Sequence, residues 1–140
     1  MTSARVPAAV VPIATIHSYH AHVYYDPATR PLAEALRAAV GARFAVRLGR
    51  WHDQPVGPHP VSMYQIAFAV PVFPALVPWL MLNRAGLAIL VHPNTGYPRA
   101  DHAHHPLWMG RVLDLDLQRL PEQDEALAEE AVNTAPTLAP

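Results

Sequence analysis

Histidines are the residues of this chain whose number and spacing most suggest chemistry. The chain carries nine histidines among 140 residues, and it contains no cysteine. Its ten basic Lys and Arg positions are all arginine. These absences exclude thiolate nucleophiles, disulfides, iron–sulfur clusters and Schiff-base lysines. Because neutral imidazole is the commonest protein ligand for zinc, iron and copper, the composition favours a metal-dependent protein.

Two of the histidines share one face of a predicted strand. Residues 16–25 (IHSYHAHVYY) are rich in aromatic and β-branched side chains, which predicts a β-strand. Side chains alternate along a strand, so His20, His22 and Tyr24 would lie on one face and the residues between them on the other. Two imidazoles at this spacing can converge on one metal ion, although solvated histidines on an edge strand have the same pattern.

Other histidines lie beside later predicted strands. His59 stands between two prolines, whose rings restrict the backbone on both sides and would preorganise a ligand. His92 ends the apolar segment LAILVH, where a polar residue often faces a site at the rim of a sheet. A rigid turn with an exposed histidine and a hydrogen-bonded structural histidine are the alternatives at these two positions.

A third group of histidines occupies the sequence DHAHHP at 101–106. In this segment Asp101 could orient the imidazole of His102 or supply a carboxylate. We expect His104 and His105 to belong to a solvated loop.

The predicted elements follow the β-α-β-β-α-β order of a ferredoxin-like α+β fold. Both helices would cover one face of an antiparallel sheet, and residues 107–115 are a candidate fifth strand. In this fold the first and third strands are central and the fourth lies beside the first, which would make the histidines neighbours. The predicted strands are 16–25, 44–48, 61–70 and 87–92, and the predicted helices are 32–40, ending at Gly41, and 73–83.

One domain accounts for most of the chain. We place it at residues 15–120, between an irregular arm at 1–14 and an acidic, then Ala- and Pro-rich tail at 121–140 with room for one short helix before a disordered end. No apolar run reaches the roughly 18 residues of a membrane span, and a formal net charge of −1 provides no basic surface for nucleic acid. The arm lacks a signal-peptide pattern, so we expect a cytoplasmic protein. Because two helices cover only one sheet face, we also expect a homodimer.

Three segments resemble the signature blocks of the DOPA 4,5-dioxygenase family. They are IHSYHAHVYYDP, GPHPVSMYQIAF and the pair LVHPNTG and DHAHHPLWMG, and the resemblance covers about residues 16–115. It implies an extradiol dioxygenase that opens the ring of a catechol such as DOPA with O2. It also implies Fe(II) as the metal, although zinc or nickel could be acquired during purification because metal occupancy also follows availability.

The resemblance leaves the ligand set open, because no glutamate lies in the three blocks to complete a site of two histidines and one carboxylate. We therefore expect three of four histidines to bind the metal: His20, His22, His59 and His92.

Five further residues are predicted to act around the metal. His102, supported by Asp101, is the candidate acid and base. Arg99 could bind a substrate carboxylate, and Tyr64 and Trp108 could pack on the ring, although core or surface positions fit these three equally well.

Two other functions fit the same histidines. One is a zinc-dependent hydrolase or isomerase, in which the metal lowers the pKa of a bound water. The other is a metal- or small-ligand-binding module without turnover. Metal content and O2 uptake would distinguish both from a dioxygenase.

Overall fold

A computed structural model describes residues 9–124 and 130–140 of the chain. Within these residues, no helix has the length and apolar character needed to cross a membrane. The first six elements below have the β-α-β-β-α-β order predicted from the sequence. The elements are β1 (Ser18–Tyr24), α1 (Arg30–Arg43), β2 (Arg47–Leu48), β3 (Met63–Ala69), α2 (Phe73–Asn83), β4 (Ile89–Asn94), α3 (Pro98–Ala103) and β5 (Leu107–Met109).

The five strands form one antiparallel sheet in the order β2-β3-β1-β4-β5. The strand that carries the first two histidines is therefore central, between β3 and β4. His20 lies directly opposite His92 of β4, and His22 lies opposite Gln65 of β3. This arrangement confirms the ferredoxin-like α+β fold, with a short fifth strand added beyond β4.

Helices α1 and α2 cover one face of the sheet and form the main core with it. The alternate β1 residues Ala21 and Val23 are 0% exposed on this side. Full burial of a side chain as large as Val23 or a leucine contributes roughly 1.5–3 kcal/mol, so this face supplies much of the stability of the fold. The helix residues packed against the sheet include Leu36 and Val40 of α1 and Leu76 and Leu80 of α2.

Most strand ends differ from the prediction by one to three residues, and three other differences have a clear physical reason or add an element. Helix α1 continues past Gly41 to Arg43, because a glycine inside a helix costs only about 1 kcal/mol and here allows a close approach to β2. A Cβ at Gly41 would lie 3.2 Å from Leu48 Cδ1. Strand β5 stops at Met109, since Gly110 turns the chain with a φ of 84°. The predicted loop before β5 contains the short helix α3.

The end of the chain is ordered, in contrast to the predicted disordered end. The Asn133 side chain bonds both backbone groups of Leu48, with Leu48 N donating at 2.7 Å and Leu48 O accepting at 2.9 Å. Thr134 Oγ1 donates to Phe44 O at 2.7 Å. These bonds cover the outer edge of β2. A tail helix is formed by neither 121–124 nor 130–140, and residues 125–129 lie outside the described part of the chain.

Candidate metal centre

Five histidines converge on the face of the sheet opposite α1 and α2. His20 and His22 come from β1 and His92 from the neighbouring strand β4, whereas His59 comes from the loop before β3 and His102 from α3. All except His20 are buried, with exposures of 8% or less. The four histidines predicted as ligands are thus brought together, and His102 joins them.

A tight turn delivers His59 to the cluster. The His59 N–H donates to Val56 O at 3.0 Å, and Gly57 between them has a φ of 55°, a conformation that glycine adopts without steric cost. The backbone N–H of Asp116 donates to Pro58 O at 2.9 Å and holds the turn from outside. The backbone at His59 is therefore held in one conformation, as the prolines on both sides of it predicted.

Helix α3 delivers His102, and Asp101 has a different role from the predicted one. The Asp101 carboxylate accepts hydrogen bonds from Thr95 N at 2.9 Å and from Thr95 Oγ1 at 2.6 Å. It therefore fixes the turn between β4 and α3, and its hydrogen bonds do not support the His102 ring. The ring is instead held through Nδ1, which donates to Pro98 O at 2.6 Å.

The cluster contains two overlapping triads that could hold a metal ion. They are His20, His22 and His92, and His22, His59 and His102, and in each the ligand atoms lie within 4.8 Å of one another. His22 belongs to both. Its Nε2 is 3.0 Å from His92 Nε2, and two nitrogens bound at right angles about 2.1 Å from one ion would be about 3.0 Å apart.

Backbone carbonyls fix the tautomers of two of these imidazoles. His92 Nδ1 bonds Pro93 O at 2.9 Å, and His102 Nδ1 bonds Pro98 O. A carbonyl oxygen only accepts, so each Nδ1 carries the hydrogen and each Nε2 presents a lone pair. This is the outer hydrogen bonding that orients metal-bound histidines in proteins.

The electrostatics keep the buried imidazoles neutral. Burial, reinforced by the neighbouring imidazoles, holds the pKa of His22 and of His92 well below the ordinary histidine value. Burial and the nearby His102 lower the pKa of His59 to about 4, and burial also lowers the pKa of His102. Since metals bind the neutral form of histidine, these side chains are ready to bind at neutral pH.

One buried imidazole nitrogen lacks a hydrogen-bond partner. His22 Nδ1 has no hydrogen-bond partner among the described residues, although His22 is only 3% exposed. A buried polar atom without a partner costs about 1–3 kcal/mol. An all-imidazole set suits iron, zinc, copper or nickel, so the residues present fit the predicted metal.

Comparison with known proteins identifies the family. The model of the Dopa 4,5-dioxygenase family matches residues 19–119. The chain belongs to this family. The matched range contains all five clustered histidines.

Two curated relatives and one solved structure resemble this family member. It is 36% identical to an uncharacterized 21.2 kDa protein of Botryotinia fuckeliana and 36% identical to a DOPA 4,5-dioxygenase of Amanita muscaria, over 79% and 80% of this chain. It spans 66% and 53% of their respective lengths. A candidate dioxygenase from Nostoc punctiforme, known from its crystal structure, is 52% identical with a TM-score of 0.78. That match covers 79% of this chain and 96% of the other.

The histidines line a cavity of about 490 Å³. The C-terminal segment of this family member contributes to the same lining. Glu130 lies at the cavity and its Oε2 is 2.6 Å from His20 Nε2. The hydrogen bond from His20 lowers the pKa of the Glu130 carboxyl. Sequence reasoning missed Glu130, which lies outside the three signature blocks. The acidic character of the tail was the only sequence feature that pointed to it.

Two of the predicted substrate-contacting residues lie away from this cavity. Tyr64 faces the opposite side of the sheet, is 0% exposed and donates its hydroxyl to Ala33 O at 3.2 Å. Trp108 lies on the histidine side but stacks on Tyr24, with ring centroids 6.0 Å apart. Tyr24 in turn contacts His59 Nδ1 through its hydroxyl at 2.7 Å. We therefore correct both assignments: Tyr64 is a core residue and Trp108 supports the wall behind Tyr24.

Arg99 is also already engaged. Its guanidinium donates to Leu120 O at 2.8 Å, to Leu117 O at 3.3 Å and to Glu122 Oε1 at 3.0 Å. These bonds join α3 to the following segment, and Arg99 is absent from the described residues that line the cavity. The structure thus gives Arg99 a tethering role in place of the predicted contact with a substrate carboxylate.

Proposed function

We propose that this protein is an iron-dependent dioxygenase that opens the ring of a catechol with O2. The observation that carries the proposal is the cluster of neutral, buried imidazoles with preset tautomers, found in a chain of the Dopa 4,5-dioxygenase family. When bound, Fe(II) would supply the coordination of the diol and the redox chemistry toward O2. The cavity beside the cluster, about 490 Å³, has room for a single aromatic ring with a short arm.

We assign the metal to His20, His22 and His92. The 3.0 Å approach of His22 Nε2 to His92 Nε2 favours this triad. His20 and His92 also direct their other nitrogens to outer acceptors, a carboxylate and a carbonyl, as metal-bound histidines usually do. Three protein ligands leave coordination positions open for substrate.

The two remaining histidines are then available for proton transfer. Catechol binding and ring opening require a base near the diol. His102 has its Nδ1–H fixed on a carbonyl, so its Nε2 can accept a proton, and its ring centroid is 3.9 Å from that of His92. His59, held by Tyr24, lies beside His22 with ring centroids 4.2 Å apart. We propose His102 as the principal base.

Anaerobic reconstitution tests the function. The protein would be loaded with Fe(II), its metal measured by elemental analysis, and O2 uptake followed with DOPA and simple catechols. We expect about one iron per chain, and a ring-opened product that contains both atoms of O2. Iron binding without O2 uptake on any catechol would contradict the proposal.

Single alanine variants test the ligand assignment in the same assay. His20→Ala and His92→Ala should abolish iron retention. His102→Ala should retain iron and slow turnover by roughly 10²–10⁴-fold, the usual contribution of a general acid or base. Iron loss in His59→Ala and His102→Ala, with retention in His20→Ala, would move the metal to the second triad.

We also propose a homodimer. The C-terminal segment covers the β2 edge, whereas apolar residues remain exposed near the β5 edge. Ile13 is 83% exposed and Leu107 is 39% exposed, and both line an apolar cavity of about 420 Å³ on the helix side of the sheet. Light scattering at micromolar concentration should give twice the mass of the chain. A monomeric mass would contradict this.

A further inference from the structure

The charges around the histidine cavity are of one sign. The acidic side chains that line it are Asp101, Asp124 and Glu130, and its described lining contains no arginine. The chain has no lysine, and no arginine or histidine follows Arg119. A ligand arm that leaves the metal therefore meets carboxylates, with no arginine in the described lining.

Glu130 is the carboxylate best placed to meet such an arm. Its side chain is 38% exposed, and only Oε2 is used by His20. Asp101 is buried and accepts two bonds from Thr95, so it has little freedom to contact a ligand. Glu130 thus combines a negative charge, contact with a ligand histidine and access from solvent.

A second observation indicates that this cavity receives a ligand. The buried His22, which has the unpartnered Nδ1, lines the same cavity as Glu130. The acidic residues therefore lie around a cavity that also contains a buried, unpartnered imidazole nitrogen. An ordinary solvated acidic surface has no such group. The family match ends at residue 119, so Glu130 belongs to the part of the chain outside it.

We propose that Glu130 selects catechols whose side arm ends in a cationic amine over catechols whose arm ends in a carboxylate. The inference rests on the proposed ring-opening function and names its substrate class. The ammonium is attracted to the Glu130 carboxylate, and a carboxylate arm is repelled by it, so both effects favour the amine. A free-energy difference of about 1.4 kcal/mol would give a tenfold preference.

One arginine, Arg47, acts on the charge of Glu130 and could weaken its attraction for an amine. It lies on β2 and contributes to lowering the pKa of Glu130. Its Nη1 points to Ala131 O at 3.5 Å, and Arg47 is not among the residues that line the cavity. Arg47→Gln is therefore the matched control, because it removes a charge near Glu130 without changing the cavity wall.

The test uses three catechols whose two-carbon arms end in an ammonium, a carboxylate or a methyl group: dopamine, dihydrocaffeate and propylcatechol. For the iron-loaded protein we expect kcat/KM to be about tenfold higher with dopamine than with dihydrocaffeate. Glu130→Gln keeps an acceptor for His20. With kcat/KM expressed per bound iron, it should bring the ratio of dopamine to dihydrocaffeate close to one, and the rate on propylcatechol measures any loss caused by weaker support of His20. Arg47→Gln should leave dopamine preferred.

Three results would overturn the proposal. They are equal or greater activity on dihydrocaffeate in the unmodified protein, an equal loss on all three catechols in Glu130→Gln, and a preference that disappears in Arg47→Gln but persists in Glu130→Gln. The second result would assign Glu130 only to positioning His20.

A binding measurement separates this inference from the proposed function. Calorimetric titration of the metal-loaded protein with tyramine and with hydroxyphenylpropionate needs no ring opening. Tighter binding of tyramine, lost in Glu130→Gln, would support the charge selection even if no catechol were cleaved. Equal affinities would reject the charge selection even if catechols were cleaved.

Discussion

The two faces of the sheet are made by the same strands but have opposite properties. Facing the helices, β1 presents Ala21 and Val23, each 0% exposed in an apolar core. Facing away, the same strand presents His20 and His22 to a polar cavity. A shift of one residue in register would exchange the two sets. Stability and chemistry therefore depend on separate faces of the sheet, so they should respond separately to substitution.

The histidine face is costly to build, and the helix face offsets that cost. Burial holds the pKa of His22 and His92 well below the ordinary value, so these groups are folded as neutral imidazoles. The hydrogen bond from Nδ1 to Pro93 O compensates His92, while His22 Nδ1 has no such partner in the described residues. A cation that needs these assembled imidazoles binds the folded chain in preference to the unfolded chain, and we therefore expect it to stabilise the fold.

The strongest test of the separation is His22→Ala, which should remove the metal site and leave the fold. His22 belongs to both triads, so its loss leaves neither complete. We expect iron affinity to fall by more than about 100-fold and turnover to disappear, since a lost ligand costs more than a lost outer partner. Elemental analysis after dialysis measures the first effect, and circular dichroism the fold. Iron retained at one per chain would show that the ion lies elsewhere.

The opposite result is expected on the helix face. Ile66 is 0% exposed and packs in the helix-side core. Ile66→Ala should lower the free energy of unfolding by about 3 kcal/mol, within the range for deleting a large core side chain. Urea denaturation measures this loss, and iron per folded chain should be unchanged. The control is Val112→Ala at a 72% exposed position, where a change within about 0.5 kcal/mol is expected.

The separation of faces explains which parts of the site could be predicted from sequence. Alternation along one strand placed His20 and His22 together, and the fold order placed His92 beside them. The same alternation, applied to β3, places Tyr64 with Ile66 on the helix side, so its assignment to the substrate neglected a pattern already in the sequence. The aromatic character of Tyr64 does not reveal which face it occupies.

Other parts of the site depend on contacts that no local pattern contains. Arg99 is tethered by carbonyls about twenty residues later in the chain, and Glu130 reaches His20 across 110 residues. Adjacency in sequence suggested that Asp101 supports His102, but consecutive helix residues point in different directions. The turn that Asp101 holds instead depends on the path of the chain between β4 and α3.

A smaller effect is expected for Asp101→Ala, which tests this structural role. Removing the carboxylate breaks two hydrogen bonds from Thr95. Bonds to a charged group contribute about 1.5–3 kcal/mol, so we expect a loss near 2 kcal/mol in urea denaturation. The pH profile of turnover should shift only slightly to lower pH, because the charge of Asp101 is a lesser influence that raises the pKa of His102. Asp114→Ala is the exposed control. A strongly changed pH profile with unchanged stability would restore Asp101 as a partner of His102.

The smallest effect is expected for His104→Ala and His105→Ala. Both side chains are exposed beyond the end of α3, although His102 is buried only two residues earlier. Neither belongs to a triad among the described residues, so nothing in the cluster depends on their imidazoles. Iron content should match that of the unmodified protein, and the free energy of unfolding should change by less than about 0.5 kcal/mol. Loss of iron in either variant, as large as that in His22→Ala, would mean that the α3–β5 loop reaches the metal and that the site is not confined to the sheet face.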